Sequence, residues 1–122
     1  MTASEEIFQV ESVEHADNVI KAVLSINADS PIFQGHFPGQ PVVPGACMLQ
    51  VVKDVLADAL GYKIQLKKGD NLKFVGMIVP GSADTVALEI SYKVIEDAVN
   101  VNAKLSEGDR VCFKFKGIFI RK

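Results

Sequence analysis

The sequence is poor in the residue types that build metal centres and disulfide frameworks. It has only two histidines and two cysteines in 122 residues, and they are spread along the chain as His15, His36, Cys47 and Cys112. No Cys-x-x-Cys or His-x-x-x-His spacing occurs, which argues against a zinc site, and two cysteines are too few for a disulfide framework. We therefore expect no metal, and thiols that stay reduced, as in a cytoplasmic protein.

Long apolar runs and concentrated basic charge are also scarce. No segment approaches the roughly 20 apolar residues of a membrane-spanning helix. Residues 1–10 lack the basic start and apolar centre of a secretory signal. With 13 basic and 15 acidic residues the formal net charge is −2, and adjacent basic residues occur only at Lys67-Lys68 and Arg121-Lys122. We therefore expect a cytoplasmic protein with no membrane span and no nucleic-acid ligand.

The overall composition is that of a globular chain. Hydrophobic residues make up 48% and charged residues 23%, which excludes a disordered or fibrous protein. A length of 122 residues predicts one domain over residues 1–122, large enough for a core. It is small for enclosing a deep cavity alone, so dimerisation would help.

Hydrophobic periodicity predicts several strands and one long helix. Apolar and polar residues alternate on both sides of His15-Ala16-Asp17-Asn18, which indicates two strands and a polar turn. Residues 44–60 predict the helix, ended by Gly61. Lys68-Gly69-Asp70 predicts a turn that interrupts one strand. The other strand-like segments are Lys63–Lys68, Asn71–Ile78, Ala83–Val94, Val99–Leu105 and Arg110–Ile120. Strands that follow each other without helices imply an antiparallel sheet and the α+β class.

The helix has one polar stripe and is otherwise apolar. The stripe consists of Ala46, Gln50, Lys53, Asp54, Ala57 and Asp58. Such a broadly apolar helix must be surrounded on most sides, so we expect the sheet to wrap around it.

A proline- and glycine-rich loop places His36 just ahead of this helix. The loop carries Gly35, Pro38 and Gly39 among other glycines and prolines, which restrict its backbone to a few conformations. Gly45 follows at the helix start, where backbone N–H groups and the helix dipole attract negative charge. Imidazole moves protons near neutral pH. A histidine base and an oxyanion donor are therefore predicted to face one carbonyl compound.

These residues resemble a known family. Residues 35–45 read Gly-His-Phe-Pro-Gly-x-Pro-Val-x-Pro-Gly, the pattern of the (3R)-3-hydroxyacyl-acyl carrier protein dehydratases, and a looser match continues through Asn71–Phe74 and Val79-Pro80-Gly81. The resemblance implies the hotdog fold, a homodimer with sheets paired edge to edge, and an acyl carrier protein or other acyl thioester as substrate. It implies His36 as the base, the Gly45 N–H as oxyanion donor and no cofactor. The implied substrate-binding residues are Phe37, Pro38, Val43, Pro44 and Phe74.

One position departs from that family. Fourteen residues after the histidine the family has Glu or Asp on the helix, whereas this chain has Gln50, and Asp54 stands one turn later. An amide is not an acid. One possibility is that activity is lost and the chain is an acyl-binding or partner subunit. The other is that Asp54, water or a second chain supplies the proton that the leaving hydroxyl group needs. An acyl thioesterase is a third, weaker reading. A basic rim that attracts an acidic carrier could consist of Lys67, Lys68, Lys73 and Lys116. Lysines on solvent-exposed strand faces would explain the same residues equally well.

Overall fold

One helix and six strands make up the part of the chain that the structure describes. This is a computed structural model, and it describes residues 8–27, 45–76 and 85–122. In chain order the elements are β1 (Phe8–Ala16), β2 (Val19–Ile26), α1 (Gly45–Leu60), β3 (Ile64–Phe74), β4 (Thr85–Ile95), β5 (Ala98–Glu107) and β6 (Arg110–Arg121). The predicted helix is confirmed from Gly45 onward, and Pro44 lies outside the described residues.

The six strands form one antiparallel sheet in the order β1-β2-β4-β5-β6-β3. Three neighbouring pairs are hairpins. Asp17 and Asn18 close the first with φ angles of 52° and 63°, a left-handed turn that short polar side chains tolerate. Gly108, at φ 61°, closes the hairpin of β5 and β6. Among the strands of the described ranges, β1 and β3 are the two at the edges of the sheet.

The core lies between α1 and one face of this sheet. Val52 and Leu56 of the helix are fully buried, together with Phe113 and Phe119 of β6. Each such side chain stabilises the fold by roughly 1.5–3 kcal/mol on burial. The buried helix residues are Cys47, Met48, Val51, Val52, Val55 and Leu56. Leu49, Ala57, Ala59 and Leu60 are partly buried against the same core. The expectation that the sheet wraps around the helix is confirmed.

The C-terminus of α1 lies beside the start of β3 and the end of β6. Gly61, at φ 81°, donates its N–H to the Ala57 carbonyl at 2.9 Å, which confirms it as the residue that ends α1. The Arg121 guanidinium then lies 4.6 Å from the centre of the Tyr62 ring. The start of β3 and the end of β6 therefore lie together beside the C-terminus of α1.

The predicted turn at Lys68-Gly69-Asp70 is wrong. β3 continues through these residues, with shifts of register against β6 between residues 66 and 71. Gly69 lies directly opposite Gly117. A Cβ on Gly117 would stand 2.5 Å from both the Lys68 carbonyl oxygen and the Phe115 ring. Gly117 thus serves a close approach of backbone and aromatic ring opposite a bulged strand, and Gly69 lies within that strand and not in a chain reversal.

Candidate active site

Part of the predicted site lies outside the described residues. This applies to His36, Phe37, Pro38, Val43 and Pro44, whose roles stay predictions. The helix start, the polar stripe and the end of β3 are described.

Gly45 is the first residue of α1. The first backbone N–H groups of a helix have no carbonyl partner within it, and the helix dipole makes this end electropositive. No acidic residue stands in the first turn of α1 to neutralise that charge. The helix start therefore has the electrostatic character that an oxyanion donor requires.

Gln50 and Asp54 are joined by a hydrogen bond on the polar stripe of α1. Gln50 Nε2 donates to Asp54 Oδ1 at 2.8 Å, and both side chains are partly buried. The expectation that the two residues share a helix face is confirmed. The bond fixes the orientation of the Gln50 amide and leaves its carbonyl oxygen to accept a hydrogen bond from water or a substrate hydroxyl. A carboxyl group is present in this pair, one helical turn beyond Gln50.

An apolar cleft of about 260 Å³ lies between α1 and β1, next to Asp54. Its lining residues are Phe8, Val10, Val13, Val51, Asp54, Val55 and Asp58. The apolar walls suit a hydrocarbon chain, while Asp54 brings one polar group of the Gln50 pair to the cleft.

The strand side of this cleft was missed by the sequence analysis. Val10 and Val13 are three residues apart, so a regular strand would place them on opposite faces. The register of β1 against β2 shifts between Val10 and Ser12, and both valines turn toward the helix. They are 46% and 47% exposed, which is high for valines on the core side of a sheet. No local pattern marks this bulge.

Phe74 ends β3 on the helix side of the sheet. Its ring centre is 5.2 Å from that of Phe113, yet the residue is 52% exposed. Leu66 and Leu72 lie on the same face, since they pair with Phe119 and Phe115, and are also exposed. Within the described ranges, no strand pairs with the outer side of β3. The edge therefore presents an apolar strip with open backbone groups.

The remaining chemical groups give no metal centre in the described part of the chain. No cluster of three or more His, Cys, Asp or Glu side chains is placed there to hold a metal ion. Cys47 and Cys112 are buried, and His15 Nε2 is hydrogen-bonded to the Tyr92 hydroxyl. Among the described helices, none is long and apolar enough to cross a membrane.

A helix wrapped by a six-stranded antiparallel sheet defines a hotdog-fold protein, as expected. One chain of the dehydratase heterocomplex ApeI:P from Xenorhabdus doucetiae has the same fold, with a TM-score of 0.76 at 22% identity over 93% of this chain and 98% of that chain. The PaaI protein of Escherichia coli is also similar, with a TM-score of 0.66 at 11% identity over 94% of this chain and 79% of that chain. The model of the ApeI-like family, described as ApeI dehydratase, matches residues 12–115. The chain belongs to that family.

Curated relatives are 3-hydroxyacyl-[acyl-carrier-protein] dehydratases named FabZ. The Haemophilus influenzae protein is 27% identical over 92 residues, which is 69% of this chain and 60% of that relative. The Streptococcus equi subsp. zooepidemicus protein is 28% identical over 116 residues, covering 84% of this chain and 82% of the relative. The chain thus spans about 60% of the length of the Haemophilus protein.

Proposed function

We propose that this protein eliminates water from a 3-hydroxyacyl thioester in fatty acid or related acyl-chain biosynthesis, with an acyl carrier protein as the carrier. The observation that carries the proposal is the Gln50–Asp54 pair beside an apolar cleft, on the helix that directly follows the His36 loop. The membership of the ApeI-like family and the FabZ relatives support the same chemistry.

In the proposed reaction, His36 and the Gly45 N–H act on the thioester side of the substrate. His36 takes a proton from the carbon next to the thioester carbonyl, while the Gly45 N–H stabilises the negative charge that develops on the carbonyl oxygen. The bond between the next carbon and its hydroxyl oxygen then breaks, and the electron pair left by the proton forms the carbon–carbon double bond. The hydroxyl group leaves as water after it receives a proton.

The source of that last proton is the chemical question that Gln50 raises. An amide cannot supply it, but Gln50 can hold the leaving hydroxyl group through its carbonyl oxygen. Asp54, at 2.8 Å from the Gln50 nitrogen, is the carboxyl group closest to this position on the helix stripe. We assign proton delivery to Asp54, either directly or through a water bound between the two side chains.

An absorbance assay for the conjugated enoyl thioester tests the reaction. We expect product from wild-type protein and a 3-hydroxyacyl carrier substrate, and a loss of at least about 10²-fold in His36→Ala, because general base catalysis contributes 10²–10⁴. Release of free thiol is measured in the same reaction. Thiol release without enoyl product would contradict the dehydratase proposal and indicate a thioesterase.

The apolar edge of β3 supports a second part of the proposal, a homodimer. A second copy that pairs antiparallel with β3 would satisfy its open backbone groups and cover Leu66, Leu72 and Phe74. Sedimentation analysis of Leu72→Lys should show monomers, because the substitution places a charge in this edge. The matched control is Val23→Lys on the outer face of β2, where an equally exposed side chain is changed without effect on assembly.

A partner subunit without activity of its own is the second candidate function, and Gln50 is the observation that favours it. The Xenorhabdus protein with the same fold is described as part of a dehydratase heterocomplex. The test is the enoyl assay on the purified chain alone. Activity of the isolated chain supports the first proposal, whereas activity that appears only with a second hotdog dehydratase chain supports the partner role.

A further inference from the structure

The outer face of the sheet, opposite α1, carries one row of charged residues across all six strands. Each member lies directly opposite the next on the neighbouring strand, in the order Glu14, Lys21, Glu89, Lys104, Lys114 and Lys73. The sign of the charge alternates over the first four members. The last three are all lysine. The row therefore carries two acidic residues and one lysine on β1, β2 and β4, and three lysines on β5, β6 and β3.

The three adjacent lysines repel one another. Side chains directly opposite on antiparallel strands have Cβ atoms about 5 Å apart, and like charges in such pairs destabilise the sheet. The ion pairs found among the described residues are Lys68–Asp70 and Glu107–Arg110, so neither involves this row. All three lysines are exposed. An anion held between them would relieve the repulsion.

A depression beside the lysines has the groups to hold such an anion. The adjacent row consists of Ser91, Asn102, Lys116 and Asn71, again directly opposite one another. Serine and asparagine are shorter than the charged residues of the first row, so a depression of about 290 Å³ opens above them. Lys104, Lys114 and Lys116 stand at its walls, and Glu89 is the acidic residue among its lining groups. Hydroxyl and amide donors thus lie below a group of ammonium ions.

We propose that this depression binds a small ligand that carries two or more linked phosphate groups. Its short donors, Ser91, Asn102 and Asn71, can contact only a compact ligand that enters the depression, whereas a broad acidic protein surface would contact the lysine tips alone. The positive row spans three strands, about 10 Å, which exceeds the reach of a single carboxylate and suits a diphosphate or triphosphate. Lysine is a common phosphate ligand. The site lies on the face opposite α1 and does not depend on the proposed dehydratase reaction.

Titration calorimetry with pyrophosphate at constant ionic strength tests the site. We expect wild-type protein to bind with a Kd below about 1 mM. The double variant Lys104→Gln/Lys114→Gln should bind at least about tenfold more weakly, because it removes two of the charges that attract the ligand. Asn102→Ala should weaken binding about threefold or more, since it removes a donor inside the depression. Lys21→Gln is the matched control and should stay within about twofold, because Lys21 has an acidic residue on each side.

Three results would overturn the proposal. They are undetectable pyrophosphate binding at about 10 mM ligand, equal weakening in Lys21→Gln, and displacement of pyrophosphate by polyglutamate at lower charge concentration. The last would assign the lysines to an acidic protein instead. The ligand-free Lys114→Gln protein gives an independent readout. Its Tm should rise by about 1–3 °C because repulsion with both neighbours is removed, and a fall in Tm would contradict the argument.

Discussion

The two sides of α1 differ in what they do for the protein. Val52 and Leu56 on the buried side are fully enclosed by the sheet, whereas Gln50 and Asp54 on the polar stripe are partly buried and hydrogen-bonded to each other. Apolar burial supplies stability without chemistry. The polar pair beside the cleft adds little stability, since one hydrogen bond contributes only about 1 kcal/mol, and its role in the proposed reaction is proton delivery. Substitutions on the two sides should therefore separate stability from activity.

The largest effect is expected on the buried side. Leu56→Ala removes a fully buried side chain from between the helix and the sheet and leaves a cavity. We expect the free energy of unfolding to fall by about 3–5 kcal/mol. Urea denaturation measures this change. A loss below about 1 kcal/mol would show that the sheet closes onto the helix and that the core is not rigidly packed.

On the polar stripe, Asp54→Asn should lower activity strongly and stability only slightly. The substitution keeps the shape of the side chain and removes the carboxyl group to which Gln50 donates. We expect kcat for dehydration to fall by about 10²-fold, because proton delivery is lost, while the free energy of unfolding changes by about 1 kcal/mol or less. Equal turnover by the two proteins would remove Asp54 from the mechanism and leave water or a second chain as the proton source.

The contrast between the two sides of α1 could be predicted from the sequence, since the 3.6-residue period is local. Gly61 was predicted to end the helix for the same reason, and it does. The wall of the cleft could not be predicted. Val10 and Val13 share a face only because the pairing of β1 with β2 shifts between them, and that shift depends on contacts between strands.

The sequence also could not predict the setting of Gly69 or the row of lysines on the outer face, because both depend on the pairing of distant strands. Gly69 reads locally as a turn residue, but it lies within β3, because its segment pairs with Gly117 far along the chain. The positive row becomes visible only when Lys73 is placed opposite Lys114 by the pairing of β3 with β6. Motif and composition thus predicted the fold class, while strand register determined the surfaces.

Exchanging the residues of the polar pair tests its chemical meaning. The double variant Gln50→Glu/Asp54→Gln restores a carboxyl group at the position where the related dehydratases carry it. If the acid can act from either turn of the helix, the double variant should retain activity within about tenfold of wild type, a difference of 1.4 kcal/mol in the barrier. Activity as low as that of Asp54→Asn would show that proton delivery requires the carboxyl group at position 54. Enoyl absorbance under identical conditions compares the three proteins.

The smallest effect is expected at Asp58, which makes it the charge-matched control for Asp54. Asp58 lines the same cleft one turn further along α1 and is exposed. Asp58→Asn should change the free energy of unfolding by at most about 0.5 kcal/mol, as is usual for surface substitutions. It should also change kcat by at most about threefold, since an exposed charge one turn away is largely screened by solvent. A loss equal to that of Asp54→Asn would mean that negative charge along the cleft matters in general, and that the hydrogen bond between Gln50 and Asp54 has no special role.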